Sequence, residues 1–194
     1  IRRQRQMCIR DRPKTLQNDT YYTVKIGESI AQNGVDMKDH FSWHENLEYT
    51  YPHWLYDYGL YLVYNLGGWD AVYLSTCILS IILGLSIYKV NNKLANNKVL
   101  SFFITIGAMY LLRGYVAARA QLVTFILFEL VILFIEKFLE TKKIRYAAGI
   151  VVISIIVANV HCAVWPFLFI LFLPYIAEYI FSICLLYTSD AADE

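Results

Sequence analysis

The chain has 194 residues, of which 58% are hydrophobic, and its mean hydropathy is +0.43. An ordinary soluble domain contains about 45–50% apolar residues, so this composition favours a membrane protein over a soluble one. Lys and Arg number 17 and Asp and Glu number 16, a balance that gives no indication of nucleic-acid binding. The four cysteines follow neither a disulfide pattern nor a metal-binding one.

The two ends of the chain differ from the rest. Residues 1–12 are crowded with arginine and residues 184–194 directly follow an apolar run; both resemble translated sequencing-adapter read-through. We therefore predict artefactual tails at 1–12 and 184–194. Residues 13–183 are then part of a transmembrane domain whose first span and C-terminal part are missing. The alternative is a genuine basic arm that binds anionic lipid or nucleic acid.

Residues 18–33 predict a short amphipathic helix. Asn18 and Asp19 are good helix N-caps, and Asn33-Gly34 is a typical helix end. Apolar residues recur every four positions, at Tyr22, Ile26 and Ile30. We expect this helix to lie on the membrane or on the helices that cross it.

The next segment is polar and then aromatic. Acids and histidines recur with i, i+3 and i, i+4 spacing, at Asp36, Asp39, His40 and His44. On a helix face this spacing would hold a divalent metal such as Mg or Mn, whereas in a loop it would only be solvated. The irregular Tyr, Trp and His residues of 49–64 are typical of the headgroup level of a membrane.

Five apolar runs follow, at 69–88, 99–112, 120–135, 146–160 and 167–181. A hydrocarbon core needs roughly 20 apolar residues per helix, and fewer where a helix end opens into a polar cavity. Only the first run meets this length. The predicted fold is all-α: a polytopic transmembrane helix bundle with a large extracytoplasmic loop that carries short amphipathic helices.

The loops predict an orientation. Segments 89–98 and 137–145 carry seven Lys and Arg residues, whereas 13–68 carries three against seven acids. Cytoplasmic loops collect basic residues, so the two basic loops are expected in the cytoplasm. The runs 99–112 and 120–135 then form a hairpin, and residues 13–68, 113–119 and 159–166 converge on the extracytoplasmic face.

The order of several motifs carries a family resemblance. The segments NDTYYTVKIGE, DHFSW and HWLYD, a Gly-Gly-Trp entry into a span, ARAQLVTFILF and ANVHCAVWP follow one another along the chain. In this order they resemble the N-terminal part of polytopic GT-C-type glycosyltransferases over about residues 17–175. The chain departs from the family pattern at several positions: Lys25, His40, Pro52, Ala120 and Cys162.

The resemblance implies an enzyme of the bacterial plasma membrane. It would move a sugar from a polyprenyl-phosphate donor to an extracytoplasmic glycan, lipid or protein. This chemistry requires a carboxylate that activates the acceptor or holds a metal, and cations that neutralise the departing phosphate. The family's first-loop acid corresponds to Asp19, the expected base or metal ligand.

The candidate residues all lie in the segments predicted to be extracytoplasmic. The candidate catalytic residues are Asp19 and His161. The candidate substrate-binding residues are Arg113, Arg119, Asp39, His53 and Trp54. The candidate ligands of a divalent metal are Asp19 and Asp39.

Each candidate also has a structural interpretation. Asp19 would serve as a helix cap, the two arginines would extend to lipid headgroups, and His161 would be a structural histidine. Two other functions stay open. Glu129, in the middle of an apolar run, fits the path of a transporter or flippase. A non-catalytic membrane subunit would instead present the aromatic loop to a partner.

Overall fold

A computed structural model describes residues 18–44 and 47–190, with side chains for 19–44 and 47–184. Within these ranges the chain is all-helical, and its one β-bridge pairs Lys38 with Glu48. The predicted all-α class is therefore confirmed. Residues 1–12 and 191–194, which belong to the predicted tails, lie outside the described residues.

Six α-helices and one 3-10 helix account for most of the described residues. They are α1 (Asn18–Asn33), α2 (Trp54–Ala95), α3 (Lys98–Leu112), α4 (Ala120–Thr141), α5 (Ile144–Val160), the 3-10 helix (Cys162–Phe172) and α6 (Leu173–Asp190). The predicted end of α1 is confirmed: the Gly34 N–H donates to the Ile30 carbonyl at 2.9 Å, and Gly34 has a φ of 75°. Glycine favours this left-handed conformation at a helix end.

Two of the described helices are long and apolar enough to cross a membrane: Trp54–Ala95 and Cys162–Cys184. The second was not expected from its apolar run alone. It reaches this length because the 3-10 helix continues directly into α6. Helix α4 is comparably long, but Glu129, Glu136 and Lys137 interrupt its apolar sequence.

Helix α2 bends at a pair of glycines. Gly68 has φ 63° and ψ −148°, a combination that essentially only glycine adopts. Next to it, the Trp69 ring packs against the rings of Tyr21 and Tyr64, with centroids 4.5 and 4.8 Å away. The bend separates an N-terminal arm (Trp54–Leu66) from the long apolar part of α2 that follows.

The two runs predicted to form a hairpin, 99–112 and 120–135, are the helices α3 and α4. The turn at 113–119 is present, but α2 packs against both α3 and α4 and lies between them. Side chains of the three helices meet in a cluster around Leu83, Ile87 and Leu122. Helix α2 is the longest of the described helices. It therefore offers α3 and α4 a long apolar surface to pack against.

The basic loops and the candidate residues lie at opposite ends of α4. At its C-terminal end, Lys93 and Lys137 both pair with Glu140. The other end of α4 lies about 33 Å away, given 1.5 Å per residue over 22 residues. There the Cys162 N–H donates to the Pro52 carbonyl at 2.9 Å, so the residues just before the arm meet the start of the 3-10 helix.

Candidate functional site

One small polar pocket brings together side chains from four separate segments. Its volume is about 90 Å³. Helix α1, the arm, the start of α4 and the end of α5 each contribute to its lining: Asp19, Thr23, His53, Tyr56, Arg119, Ala120, Gln121 and His161. The structure thus places four of the predicted site residues around one space: Asp19, His53, Arg119 and His161.

Close packing of α1 on the arm positions the first of these segments. A Cβ atom at Gly27 would lie 2.6 Å from the Tyr61 Cβ and still closer to the Asp57 carbonyl oxygen. Only glycine allows the two backbones to approach this closely. The apolar stripe of α1, at Ile26 and Ile30, is buried beside Tyr51. This contact holds the start of α1 over the pocket.

Gly27→Ala is therefore expected to lower the free energy of unfolding by about 1–3 kcal/mol, the usual effect of overpacking a tight contact. Thermal unfolding of the purified variant measures it. Gly59→Ala is the matched control, since Gly59 lies in the same arm and its Cβ would meet no atom within 4 Å. There alanine should keep or raise the stability, because it favours the helix. Equal stabilities for the two variants would contradict this contact.

An ion pair closes one side of the pocket. The Arg119 Nη2 donates to the Asp19 Oδ2, although the two residues are 100 positions apart. Arg119 is the extended residue just before α4, with φ −137° and ψ 156°. Its Nε atom is buried, and it has no hydrogen-bond partner among the described residues. The Arg119 side chain as a whole is 34% exposed, so other N–H groups of the guanidinium can reach a ligand.

A histidine and a buried carboxylate form the opposite side. The His53 Nδ1 lies 2.7 Å from both carboxylate oxygens of Asp57. The Asp57 side chain is completely buried, and the His53 side chain is 25% exposed. Burial raises the pKa of the Asp57 carboxyl, while the hydrogen bond and charge of His53 act to lower it. The imidazole is thus the interaction that offsets the burial of this acid.

His161 lies beside this pair in a fixed tautomer. Its ring centroid is 6.4 Å from that of His53. The Thr124 hydroxyl donates to the Ala120 carbonyl at 2.9 Å, so its contact with the His161 Nδ1 at 3.4 Å makes that nitrogen the donor. Burial lowers the pKa of His161, and the charge of His53 lowers it further. His161 is therefore a neutral imidazole at neutral pH.

Three other predicted residues lie outside the pocket. Arg113 is exposed, with its guanidinium carbon 4.0 Å from the centroid of the Tyr110 ring. Asp39 accepts hydrogen bonds from two backbone N–H groups of its own loop, at 2.8 and 3.1 Å. The Trp54 Nε1 donates to the Asn159 Oδ1 at 2.9 Å and so links the arm to α5.

The residues predicted to bind a metal do not form a set of ligands for Mg or Mn. Asp36 and His40 pair with each other at 2.8 Å, and Asp39 closes a turn. Asp19 faces Arg119. Across the part of the chain that the structure describes, no three His, Cys, Asp or Glu residues come together as a metal site. A divalent metal stays a prediction of the resemblance.

Asp57 is one of the acids predicted to lie on the extracytoplasmic face, but it is not among the candidate site residues named from the sequence. The signal was available, because His53 and Asp57 are four residues apart and a helix begins between them. The same spacing had been recognised only for the acids and histidines of 36–44. The complete burial of Asp57, which distinguishes the two cases, depends on α1 and is not visible in the spacing.

Comparisons of the chain with protein-family models, with curated proteins and with solved structures find no match. The geometry of the pocket and the chemistry of its side chains are therefore the basis for inferring a function.

Proposed function

We propose that the chain is a polytopic membrane glycosyltransferase of the GT-C type. It moves a sugar from a polyprenyl-phosphate donor to an acceptor on the extracytoplasmic side of the bacterial plasma membrane. The observation that carries this proposal is the single pocket that combines an arginine, a carboxylate and two histidines at the end of α4 opposite the basic loops. Phosphate departure and acceptor activation require these groups together.

Arg119 suits the phosphate of the donor. Its forked donors match phosphate oxygens, and its side chain is 34% exposed and lines the pocket. The N-terminus of α4 begins directly after it, and the dipole of a helix favours negative charge there. Asp19 orients the guanidinium through the ion pair. These two residues therefore form the phosphate side of the proposed site.

An apolar cleft beside the pocket supports a lipid-linked donor. The cleft has a volume of about 210 Å³ and shares Gln121 and His161 with the polar pocket. Its other walls are mostly apolar and come from α4 and the 3-10 helix: Thr124, Phe125, Phe128, Val164 and Phe167. A polyprenyl chain would find apolar surface here within reach of the phosphate side.

The surface of the helices supports the membrane assignment. Large apolar side chains are exposed along α3, α5 and α6: Phe102, Phe103, Val151, Val152, Ile155 and Phe181. Apolar surface this extensive is costly in water and favourable in lipid. Together with the two long apolar helices, it is typical of helices that face a bilayer. The crossing part of α2 then begins after the bend at Gly68.

The proposed topology predicts which side of the membrane each loop faces. In a background without native cysteines, a cysteine at Asn92 or Lys142 should react with a membrane-impermeant thiol reagent only in opened cells. One at Ser42 should react in intact cells. Position 46 lies in the same predicted extracytoplasmic loop but outside the described residues, so Ser42 represents this loop. Labelling at Ser42 only from the cytoplasmic side would contradict the orientation of the site.

The function is tested by incubating the purified protein, in lipid nanodiscs, with polyprenyl-phosphate sugars and a bacterial cell-envelope extract as the source of acceptors. The expected result is release of polyprenyl phosphate with sugar appearing on the acceptor fraction, both measured by mass spectrometry. Nucleotide sugars should not replace the lipid-linked donor. Movement of intact donor across vesicles without release of polyprenyl phosphate would instead indicate a transporter or flippase.

A further inference from the structure

We infer that His53 accepts the acceptor's proton in the proposed transfer reaction and that Asp57 is the positioning residue that orients it. This inference rests on the proposed function. It differs from the expectation from the sequence, which gave the role of base to Asp19. The observation behind it is a histidine that lines the pocket and is held from behind by a buried carboxylate.

The geometry of the pair is that of a general base with an orienting group. Asp57 lies 2.7 Å from the His53 Nδ1 through both of its oxygens. A carboxylate in this position fixes the Nδ1–H tautomer and leaves the Nε2 lone pair for a proton. His53 is partly exposed and lines the pocket, whereas Asp57 is fully buried. Only the imidazole can therefore meet a substrate.

Asp19 and His161 are less suited to this role. The Asp19 carboxylate is already engaged by the Arg119 guanidinium, which assigns it to the phosphate side of the pocket. His161 has a threonine hydroxyl against its Nδ1, where His53 has a buried carboxylate. A carboxylate stabilises an imidazolium that forms during reaction, and a hydroxyl does so far less.

The arrangement divides one reaction between two sides of the pocket. An acceptor O–H gives its proton to the His53 Nε2, and the oxygen electron pair forms the bond to the anomeric carbon. The bond from that carbon to the phosphate oxygen breaks, and its electrons leave with the polyprenyl phosphate facing Arg119. The proton on His53 is then released to water or to the departing phosphate.

The charged and titratable groups around His53 come from every segment packed at the pocket. Groups from every segment packed around the pocket face it or its partner: Asp19, Arg119, His161, Tyr56, Tyr49 and Asp57. Asp19 and Arg119 neutralise each other through their ion pair, and His161 is neutral. Asp57 is therefore the negative charge that faces the His53 imidazole directly.

The test compares purified variants in the transfer assay. His53→Gln is expected to lower kcat by about 100- to 10,000-fold, the usual value of a positioned base, with an unchanged donor KM. Asp57→Asn should also lower kcat, by less and with an unchanged donor KM, because the imidazole loses the carboxylate that orients it. Added imidazole should partly restore His53→Ala.

His40→Gln is the matched control. His40 and Asp36 are four residues apart and hydrogen-bond to each other, as His53 and Asp57 do, but they lie on a loop outside the pocket. His40→Gln should leave kcat unchanged. Thermal unfolding at matched midpoints separates catalysis from folding. If the wild type transfers sugar and His53→Gln retains its kcat, the base assignment is wrong and the proposed function stands. Loss of activity in His53→Ala without imidazole rescue would also overturn the base assignment. No transfer by the wild type would overturn both the base assignment and the proposed function.

Discussion

Arg119→Gln is expected to raise the donor KM by about 10- to 100-fold, because a hydrogen bond to a charged group contributes about 1.5–3 kcal/mol. Glutamine cannot reproduce the two-pronged contact of a guanidinium with phosphate. Arg119 also lines the pocket and holds Asp19 through the ion pair. Its loss therefore weakens the phosphate side of the pocket twice.

Arg113→Gln is the matched control for this prediction. Arg113 lies at the other end of the same turn, is exposed, and packs over the ring of Tyr110. Its replacement should leave the donor KM unchanged. Donor titrations at saturating acceptor measure both variants, with protein abundance determined in parallel. Equal donor dependence in both variants and the wild type would mean that the arginines only anchor the protein at the membrane.

Asp19→Asn is expected to raise the donor KM by about tenfold, the effect of weakening one charge-assisted hydrogen bond. Asparagine preserves the size of the side chain but removes the charge that orients Arg119. Because the two residues act as a pair, the double variant Asp19→Asn/Arg119→Gln should have about the same donor KM as Arg119→Gln alone. Non-additivity of this kind is typical of residues in direct contact.

The same variant decides between two roles for Asp19. If this carboxylate were the base, as the resemblance implies, kcat would fall by about 100- to 10,000-fold with the donor KM unchanged. That outcome would move the proton acceptor from His53 to Asp19. Transfer rates at saturating donor and acceptor, compared for Asp19→Asn and His53→Gln at matched thermal stability, give the answer directly.

Local features of the fold could be predicted because they depend on neighbours in the sequence. The predicted end of α1 at Gly34 uses a backbone conformation that glycine adopts easily. The apolar runs became helices because their length and composition allow little else. The basic loops also meet at one end, where Lys93 pairs with Glu140.

The predicted site could be anticipated only in part. The convergence of Asp19, Arg119 and His161 followed from the alternation of helices between two ends. That Arg113 and Asp39 lie outside the pocket could not be anticipated in this way. Both residues find partners within their own segments, a ring for Arg113 and backbone N–H groups for Asp39. Charge and spacing cannot distinguish a residue engaged locally from one that faces a shared pocket.

By itself, the sequence determined the helical class, the apolar character of the chain and the separation of its basic loops from its aromatic and acidic segments. These properties are sums over many residues. Only the tertiary structure placed α2 between α3 and α4 and buried Asp57 behind His53. Gly27, which has no side chain, lets α1 lie directly against the backbone of Asp57 in the arm. A contact between backbones distant in sequence leaves no periodic pattern, and so the deepest element of the site had to be seen in three dimensions.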